Sequence, residues 1–205
     1  VLVNGMVGIG TGFSTSVPQF SPRDIIDNII NKLNNKPYTA ITPHYNNFTG
    51  TILQIDEYNY MSKGVYNIID EETIEITELP IGRWIDDYKK FLDSLLNDEK
   101  KIITDYVNNS SDHRVHFLIK IDKHKLLSLQ WSENNNIDGI EKILKLTTTK
   151  GLSTSNMHLY DKSHIVKYND IYEIFDAFIA ERRDLYKKRI HYQITNYKNK
   201  IAILN

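Results

Sequence analysis

The chain lacks several features that would place it in a common functional class. It contains no cysteine, which excludes disulfides, thiolate metal sites and a cysteine nucleophile and is typical of a reducing, intracellular compartment. It has no apolar run approaching the roughly 18 residues that span a bilayer, so no membrane partner is expected. The first 31 residues contain no lysine, which removes the lysine that a nucleotide-binding P-loop requires.

The charge and length of the chain limit the kind of binding surface and the number of domains it can have. The chain has 205 residues with 25 Lys+Arg, 26 Asp+Glu and a formal net charge of -1, so a nucleic-acid surface has to be local rather than global. Its length allows one substantial domain or two small ones, and 40% of its residues are hydrophobic. The sequence begins with Val1 rather than methionine, and we expect it to be an excerpt of a longer polypeptide.

The stretch VNGMVGIGTGFSTSVPQFSPRD at residues 3–24 is rich in glycine. It lacks the G-x-G-x-x-G spacing of dinucleotide-binding loops, because Phe13 stands where the third glycine belongs. Two prolines then delay the next helix, so the pattern predicts a free-standing loop. Two interpretations of Ile9 at its centre stay open: a loop that something large approaches closely, or a tight turn with Ile9 in the core.

Hydrophobic periodicity indicates an α+β fold. An amphipathic helix is predicted over 21–34, with Ser21 as its N-cap and an apolar face formed by Ile25, Ile26, Ile29, Ile30 and Leu33. Alternating segments at 51–55, 64–69 and 73–79 predict an antiparallel meander with one wet face. Further predictions are a helix over 85–96, a strand over 115–121, helices over 122–130 and 138–146, solvated loops at NNSSD and SENNN, and a hairpin from NMHLYD and HIVKYND.

The last segment predicts a long projecting helix. No proline or glycine occurs from Asp170 to Leu204. Its apolar residues recur at spacings of four, three, four and three: Ile190, Ile194, Tyr197, Ile201 and Leu204. Such a seam is typical of a coiled coil that needs a partner helix. A basic run at 182–189 winds around this helix and favours a solvated face over a phosphate contact.

The residues show no catalytic machinery. His113 and His116 are the only close histidine pair, and in a strand they point to opposite faces, which disfavours a metal site. No serine stands in a G-x-S-x-G elbow. We therefore assign no catalytic and no metal-binding residue to this segment.

Several segments in order resemble one family. These are VLVNG with GIGTGFST, P-x-F-x-P-R-D-I-I, PHYNNFTGTI, IEITELPIGRW, SNMHLYD, IVKYNDIYEI and FIAERRDLYKKR. They resemble the type IIA DNA topoisomerases of eukaryotes and large DNA viruses, over nearly the whole chain. The resemblance favours this branch over bacterial-type gyrase A subunits. The other alternative is a non-catalytic DNA-binding and coiled-coil module.

The resemblance implies roles for individual residues. Ile9 is expected to wedge between base pairs of a bent gate DNA, with Gly8 and Gly10 allowing close approach of the backbone. Asn4, Thr11 and Ser14 are expected near the DNA backbone. For Trp84 a structural role is favoured over one facing DNA, and because GRW and PHYNNFTG depart from the family pattern no DNA contact is assigned to Arg83 or Asn47.

The resemblance also implies an organisation and a setting. Residues 1–35 form the DNA-approach loop and first helix, 36–168 a tower domain and 169–205 the start of a coiled coil. The parent enzyme is expected to be a homodimer that uses Mg²⁺ and ATP to pass one duplex DNA through another. Its attacking tyrosine, Mg²⁺ site and ATPase lie outside this segment, which binds neither cofactor. The expected location is the nucleus of a cell, or the cytoplasmic replication site or host nucleus for a virus.

Overall fold

The computed structural model describes residues 1–98, 102–130 and 137–204. It contains eleven strands and five helices within those residues. In chain order they are β1 (Met6–Gly10), β2 (Phe13–Val17), α1 (Pro22–Leu33), β3 (Thr51–Gln54), β4 (Tyr60–Lys63), β5 (Val65–Ile68), β6 (Thr73–Glu78), α2 (Ile85–Leu96), β7 (Ile103–Asn108), β8 (Phe117–Ile121), α3 (Lys123–Gln130), α4 (Gly139–Ile143), β9 (Thr147–Thr148), β10 (Met157–Asp161), β11 (His164–Tyr168) and α5 (Ile171–Leu204).

The predicted α+β class, with antiparallel sheets and a long C-terminal helix, is confirmed. The predicted single meander is wrong, because the segment at 51–55 lies in another sheet. β3 pairs with β4 and β9, whereas β5, β6, β8 and β7 form a separate four-stranded sheet in that order. Sequence alternation reports which side chains face a core but not which strands pair, and the short β4 was not predicted.

The four-stranded sheet and α2 enclose the larger core. Ile74 and Ile76 of β6 and Ile119 of β8 are fully buried. The predicted helix over 85–96 is confirmed, and it places Tyr88 and Leu92 one turn apart on the face that packs on this sheet. The Tyr88 hydroxyl donates to the Leu144 carbonyl oxygen at 2.8 Å, which ties α2 to the end of α4.

A second core joins the two ends of the chain. It gathers Leu2, Val17, Phe20 and Ile41 from the N-terminal part with Met157 of β10 and Ile171, Phe175 and Ile179 of α5. The hairpin at 157–168 therefore shares a core with residues 1–35, although the domain boundaries proposed from sequence place it with 36–168. Contacts between distant segments decide this, and local periodicity does not report them.

Helix α1 uses its predicted apolar face only in part. Ile25 and Ile29 pack against the second core, but Ile26, Ile30 and Leu33 are about half exposed. The fully buried residue of the helix is Asn28, whose side-chain oxygen accepts a hydrogen bond from the Thr39 backbone N–H at 2.8 Å. Ser21 does stand at the N-cap, yet its side chain makes no capping hydrogen bond.

Helix α5 confirms the predicted long helix. Ile171, Phe175 and Ile179 are buried on one face at successive turns, and from Ala180 onward nearly every described residue of the helix is exposed. The predicted seam from Ile190 to Leu204 accordingly has no partner within the described residues.

Among the remaining predicted strands and helices, some are confirmed and others are shorter than predicted. The 157–161 and 164–168 hairpin is confirmed, the strand over 115–121 begins at Phe117, and α4 is shorter than predicted. The predicted loop SENNN, residues 132–136, lies outside the described residues. No helix among the described residues has both the length and the apolar character to cross a membrane.

Candidate nucleic-acid interface

The glycine-rich stretch folds as a β-hairpin. β1 and β2 pair antiparallel in a register that sets Ile9 opposite Ser14 and Gly10 opposite Phe13. Thr11 and Gly12 form the two-residue connection, where Gly12 has a φ of +81° that glycine adopts without strain. The prediction of a free-standing loop is wrong, because the alternation in FSTSV provides a second strand that closes on the glycines.

Ile9 projects from this hairpin into solvent. Its side chain is 91% exposed, and Val7 on the same face of β1 is 78% exposed. The alternative of a tight turn with Ile9 in the core is therefore wrong. Large apolar side chains that are this exposed indicate a binding surface when they lie side by side.

Of the two glycines beside Ile9, Gly10 has no explanation within the chain, and Gly8 has only a close approach to the Thr15 methyl. Four of the nine glycines have positive φ, namely Gly5, Gly12, Gly82 and Gly151. Three others, Gly50, Gly64 and Gly139, lie so close to backbone carbonyls that a Cβ would clash. A Cβ on Gly10 would meet nothing nearer than 3.9 Å, and one on Gly8 would meet only the Thr15 methyl at 3.3 Å. The bare backbone on both sides of Ile9 is thus open to an outside molecule.

The neighbouring β10 holds the hairpin in place. The Ser16 backbone N–H donates to the Asn156 carbonyl oxygen at 2.8 Å, and the His158 N–H donates to Thr15 Oγ1 at 3.1 Å. Beneath these contacts Met157 is fully buried in the second core. Ile9 therefore stands on a platform that is anchored on one side.

The other predicted site residues lie along the same hairpin. Ser14 is exposed, and its hydroxyl accepts a hydrogen bond from Asn156 Nδ2 at 3.0 Å. Thr11 is exposed at the tip of the hairpin, and Asn4 is exposed two residues before β1 begins. The structure thus places Gly8, Ile9, Gly10 and Ser14 together in one register, with Thr11 and Asn4 at opposite ends.

Sequence reasoning missed the apolar groove beside Ile9. This groove has a volume of about 540 Å³, and its lining includes Ile9, Phe13, Tyr160 and Ile165. The period of two that puts Val7 and Ile9 on one face could have been read from the sequence. No local signal brings Tyr160 to Ile9, because the two lie about 150 residues apart and meet only because β10 packs beside β2.

The residues set aside in the sequence take other positions. Trp84 precedes α2 with 73% of its surface exposed, so the core does not account for this side chain. The Nε atom of the adjacent Arg83 is buried and has no hydrogen-bond partner among the described residues. His116 Nε2 lies 3.0 Å from Glu75 Oε1 on the sheet, while His113 is exposed in the preceding turn.

The surface around Ile9 offers apolar side chains and hydroxyl groups. No group of three or more histidine, aspartate or glutamate residues in the described parts of the chain could hold a metal ion. These residues therefore do not fit the Mg²⁺ that the family implies. The hairpin presents an exposed isoleucine flanked by glycine backbone and hydroxyl groups.

Comparisons with known proteins identify the family. The model of the family described as the A subunit of DNA gyrase/topoisomerase IV matches residues 1–205. DNA topoisomerase 2 of Plasmodium falciparum is 40% identical over 100% of this chain and 14% of its own length, and the Pisum sativum enzyme of the same name is 38% identical over 100% of this chain and 14% of its length. DNA topoisomerase 2 of Acanthamoeba polyphaga mimivirus is 32% identical over 100% of this chain and 20% of its length.

A solved structure carries the same fold. The DNA-binding, cleavage and re-ligation domain of Plasmodium falciparum topoisomerase II matches with a TM-score of 0.87 and 41% identity, covering 94% of this chain and 26% of that one. The chain thus spans only about a seventh to a fifth of the curated relatives named above. It belongs to the family of DNA gyrase/topoisomerase IV A subunits, on the branch of the eukaryotic and large-virus type II topoisomerases.

Proposed function

We propose that this chain is the DNA-bending part of the gate of an ATP-dependent type II DNA topoisomerase. The observation that carries the proposal is Ile9, 91% exposed on an anchored hairpin, next to Gly10, for which the fold itself shows no need. An apolar wedge of this kind unstacks a base step at a cost of a few kcal/mol, which the larger contact with bent DNA offsets.

In this proposal the parts of the hairpin have separate tasks. Ile9 enters the base stack, and Gly8 and Gly10 let the sugar-phosphate backbone approach the strand. Ser14, Thr11 and Asn4 donate hydrogen bonds to phosphates, which positions the duplex without reading its sequence. The tower over 36–168 supports the bent duplex, and residues 169–205 begin a coiled coil within a homodimer.

The whole enzyme supplies what this chain lacks. Its attacking tyrosine forms a transient ester with a DNA phosphate, and ATP and Mg²⁺ act in segments outside this one. We propose an intracellular location: the nucleus if the source is a cell, and the cytoplasmic replication site or host nucleus if it is a virus. The relatives in eukaryotes and in a virus support this branch over a bacterial-type gyrase.

The test is Ile9→Ala in the full-length protein that contains this chain. Energy transfer between dyes on the two ends of a gate-length duplex reports bending, and salt-dependent titration reports overall affinity. We expect bending and cleavage to fall while nonspecific affinity stays nearly the same, because phosphate contacts dominate binding. The matched control is Ile69→Ala, an isoleucine 55% exposed elsewhere on the surface. Unchanged bending in Ile9→Ala would refute the proposal that Ile9 is a wedge.

A further inference from the structure

The groove beside Ile9 presents a second aromatic surface in the same direction as the wedge. Tyr160 on β10 is 75% exposed, and Phe13 on β2 is 53% exposed. Both line the groove of about 540 Å³ that also includes Gly8, Ile9 and Gly10. Ile9, Phe13 and Tyr160 therefore border one open depression.

Tyr160 is held in a fixed relation to Ile9. β10 and β2 are joined by the Ser16 to Asn156 and His158 to Thr15 hydrogen bonds. The His158 ring also packs edge-on against Phe13, with ring centroids 6.1 Å apart. The two hairpins thus form one platform, and whatever contacts Ile9 lies within reach of Tyr160.

The tyrosine ring does not serve the fold. Its neighbour Met157 is fully buried and provides the packing of β10, whereas Tyr160 lies largely in solvent. Within the described residues no hydrogen bond of its hydroxyl is seen. An amphipathic ring with a free hydroxyl suits a surface that has both apolar and charged parts.

We propose that Tyr160 is a second DNA-positioning residue, whose ring packs on the deoxyribose beside the step that Ile9 opens and whose hydroxyl donates to the adjoining phosphate. The inference rests on the proposed function, because the groove is continuous with the wedge. The occupant is duplex DNA rather than a protein, since the same groove includes the bare glycines that leave room for a nucleic-acid backbone. Tyr160 thereby limits how far the unstacked strand slides along the hairpin.

Photo-cross-linking in the full-length protein tests the contact directly. Tyr160 is replaced by p-benzoylphenylalanine, which on illumination inserts into nearby C–H bonds such as those of deoxyribose, and labelled gate-length duplex is added. The control carries the same replacement at Tyr192, a tyrosine 69% exposed on α5. A DNA adduct at position 160 and none at position 192 is the expected result. A protein adduct at 160, or no DNA adduct there, would overturn the inference.

Two variants measure what the contact contributes. Tyr160→Ala should lower the ratio of bent to straight duplex about fivefold, the loss expected when part of the apolar surface of one aromatic ring is no longer covered. Tyr160→Phe should retain most of the bending and lose only the hydroxyl contact. Full bending in Tyr160→Ala would contradict the inference while leaving the wedge intact. Bending that does not depend on Ile9 would instead overturn the proposed function, so the two failures are distinguishable.

Discussion

Replacing Gly10 by alanine separates the needs of the fold from the needs of the DNA. The fold has room for the added methyl, because its nearest neighbour would be the Phe13 carbonyl oxygen at 3.9 Å, an ordinary contact distance. The backbone φ of Gly10 is not positive, so alanine adopts it without strain. The proposed interface has no such room, because a duplex pressed onto the strand meets the methyl.

Gly10→Ala is expected to change the stability of the hairpin and the bending of DNA in opposite directions. Replacing a glycine by alanine at a compatible position stabilises a protein by about 0.4–1 kcal/mol through the unfolded chain, so the hairpin should be as stable as before or slightly more stable. Forcing a methyl into a tightly packed contact costs about 1–3 kcal/mol. Since about 1.4 kcal/mol is tenfold in an equilibrium constant, the ratio of bent to straight duplex should fall roughly tenfold.

Two measurements on the full-length protein check both halves. Hydrogen exchange of peptides covering 1–20 reports the local stability of the hairpin, and end-to-end energy transfer reports bending. Gly12→Ala serves as the contrast, because a φ of +81° makes alanine strained and should speed exchange. Faster exchange in Gly10→Ala would refute the view that the fold has room. Normal bending would refute the view that DNA approaches this strand closely.

Two further predictions concern the larger core. Lys63 and Glu141 form an ion pair of 2.7 Å with side chains only 17% and 10% exposed, so Glu141→Ala should destabilise the fold by roughly 3 kcal/mol in urea unfolding. The control is Glu71→Ala, which removes a carboxylate that is 74% exposed in its pair with Lys123 and should cost at most about 1 kcal/mol. Equal losses of stability in the two variants would contradict the argument from burial. Burial and then its hydrogen bond to Asp93 raise the pKa of Tyr106 to about 12. The unfolded chain therefore releases this proton at lower pH than the folded protein does, so stability should fall as pH rises above about 10. In an absorbance titration, the number of tyrosines that ionise at high pH should be one fewer in Tyr106→Phe. An ionisation midpoint near 10 for Tyr106 would contradict the assignment.

Local patterns were sufficient where one segment supplies its own stabilising contacts. The period of Tyr88 and Leu92 predicts α2, the uninterrupted run to Leu204 predicts α5, and the alternation around Met157 predicts the last hairpin. The order of several motifs predicts the family, which the comparisons confirm. The helix and hairpin signals each lie within a short stretch of chain, whereas the motif order runs along nearly all of it.

The same patterns were insufficient where distant segments compete. Alternation in 51–55 predicts a strand but not its sheet, because any half-buried strand has the same period. Ile26 and Ile30 lie on the predicted apolar face of α1, yet the core covers only the Ile25 side. The second strand of the glycine hairpin was missed, because four glycines outweighed the weak alternation of FSTSV in a reading of local propensity.

The sequence by itself determined the class of the fold, the long helix, the family and the candidate wedge, because hydrophobic period and motif order are properties of the chain alone. Only the tertiary structure decided that Ile9 is exposed, that Gly10 serves no internal turn or close packing, and that Tyr160 lies beside them. The physical reason is that exposure and free space depend on which distant surfaces pack together. The packing of β10 beside β2 brings residues about 150 positions apart onto one platform.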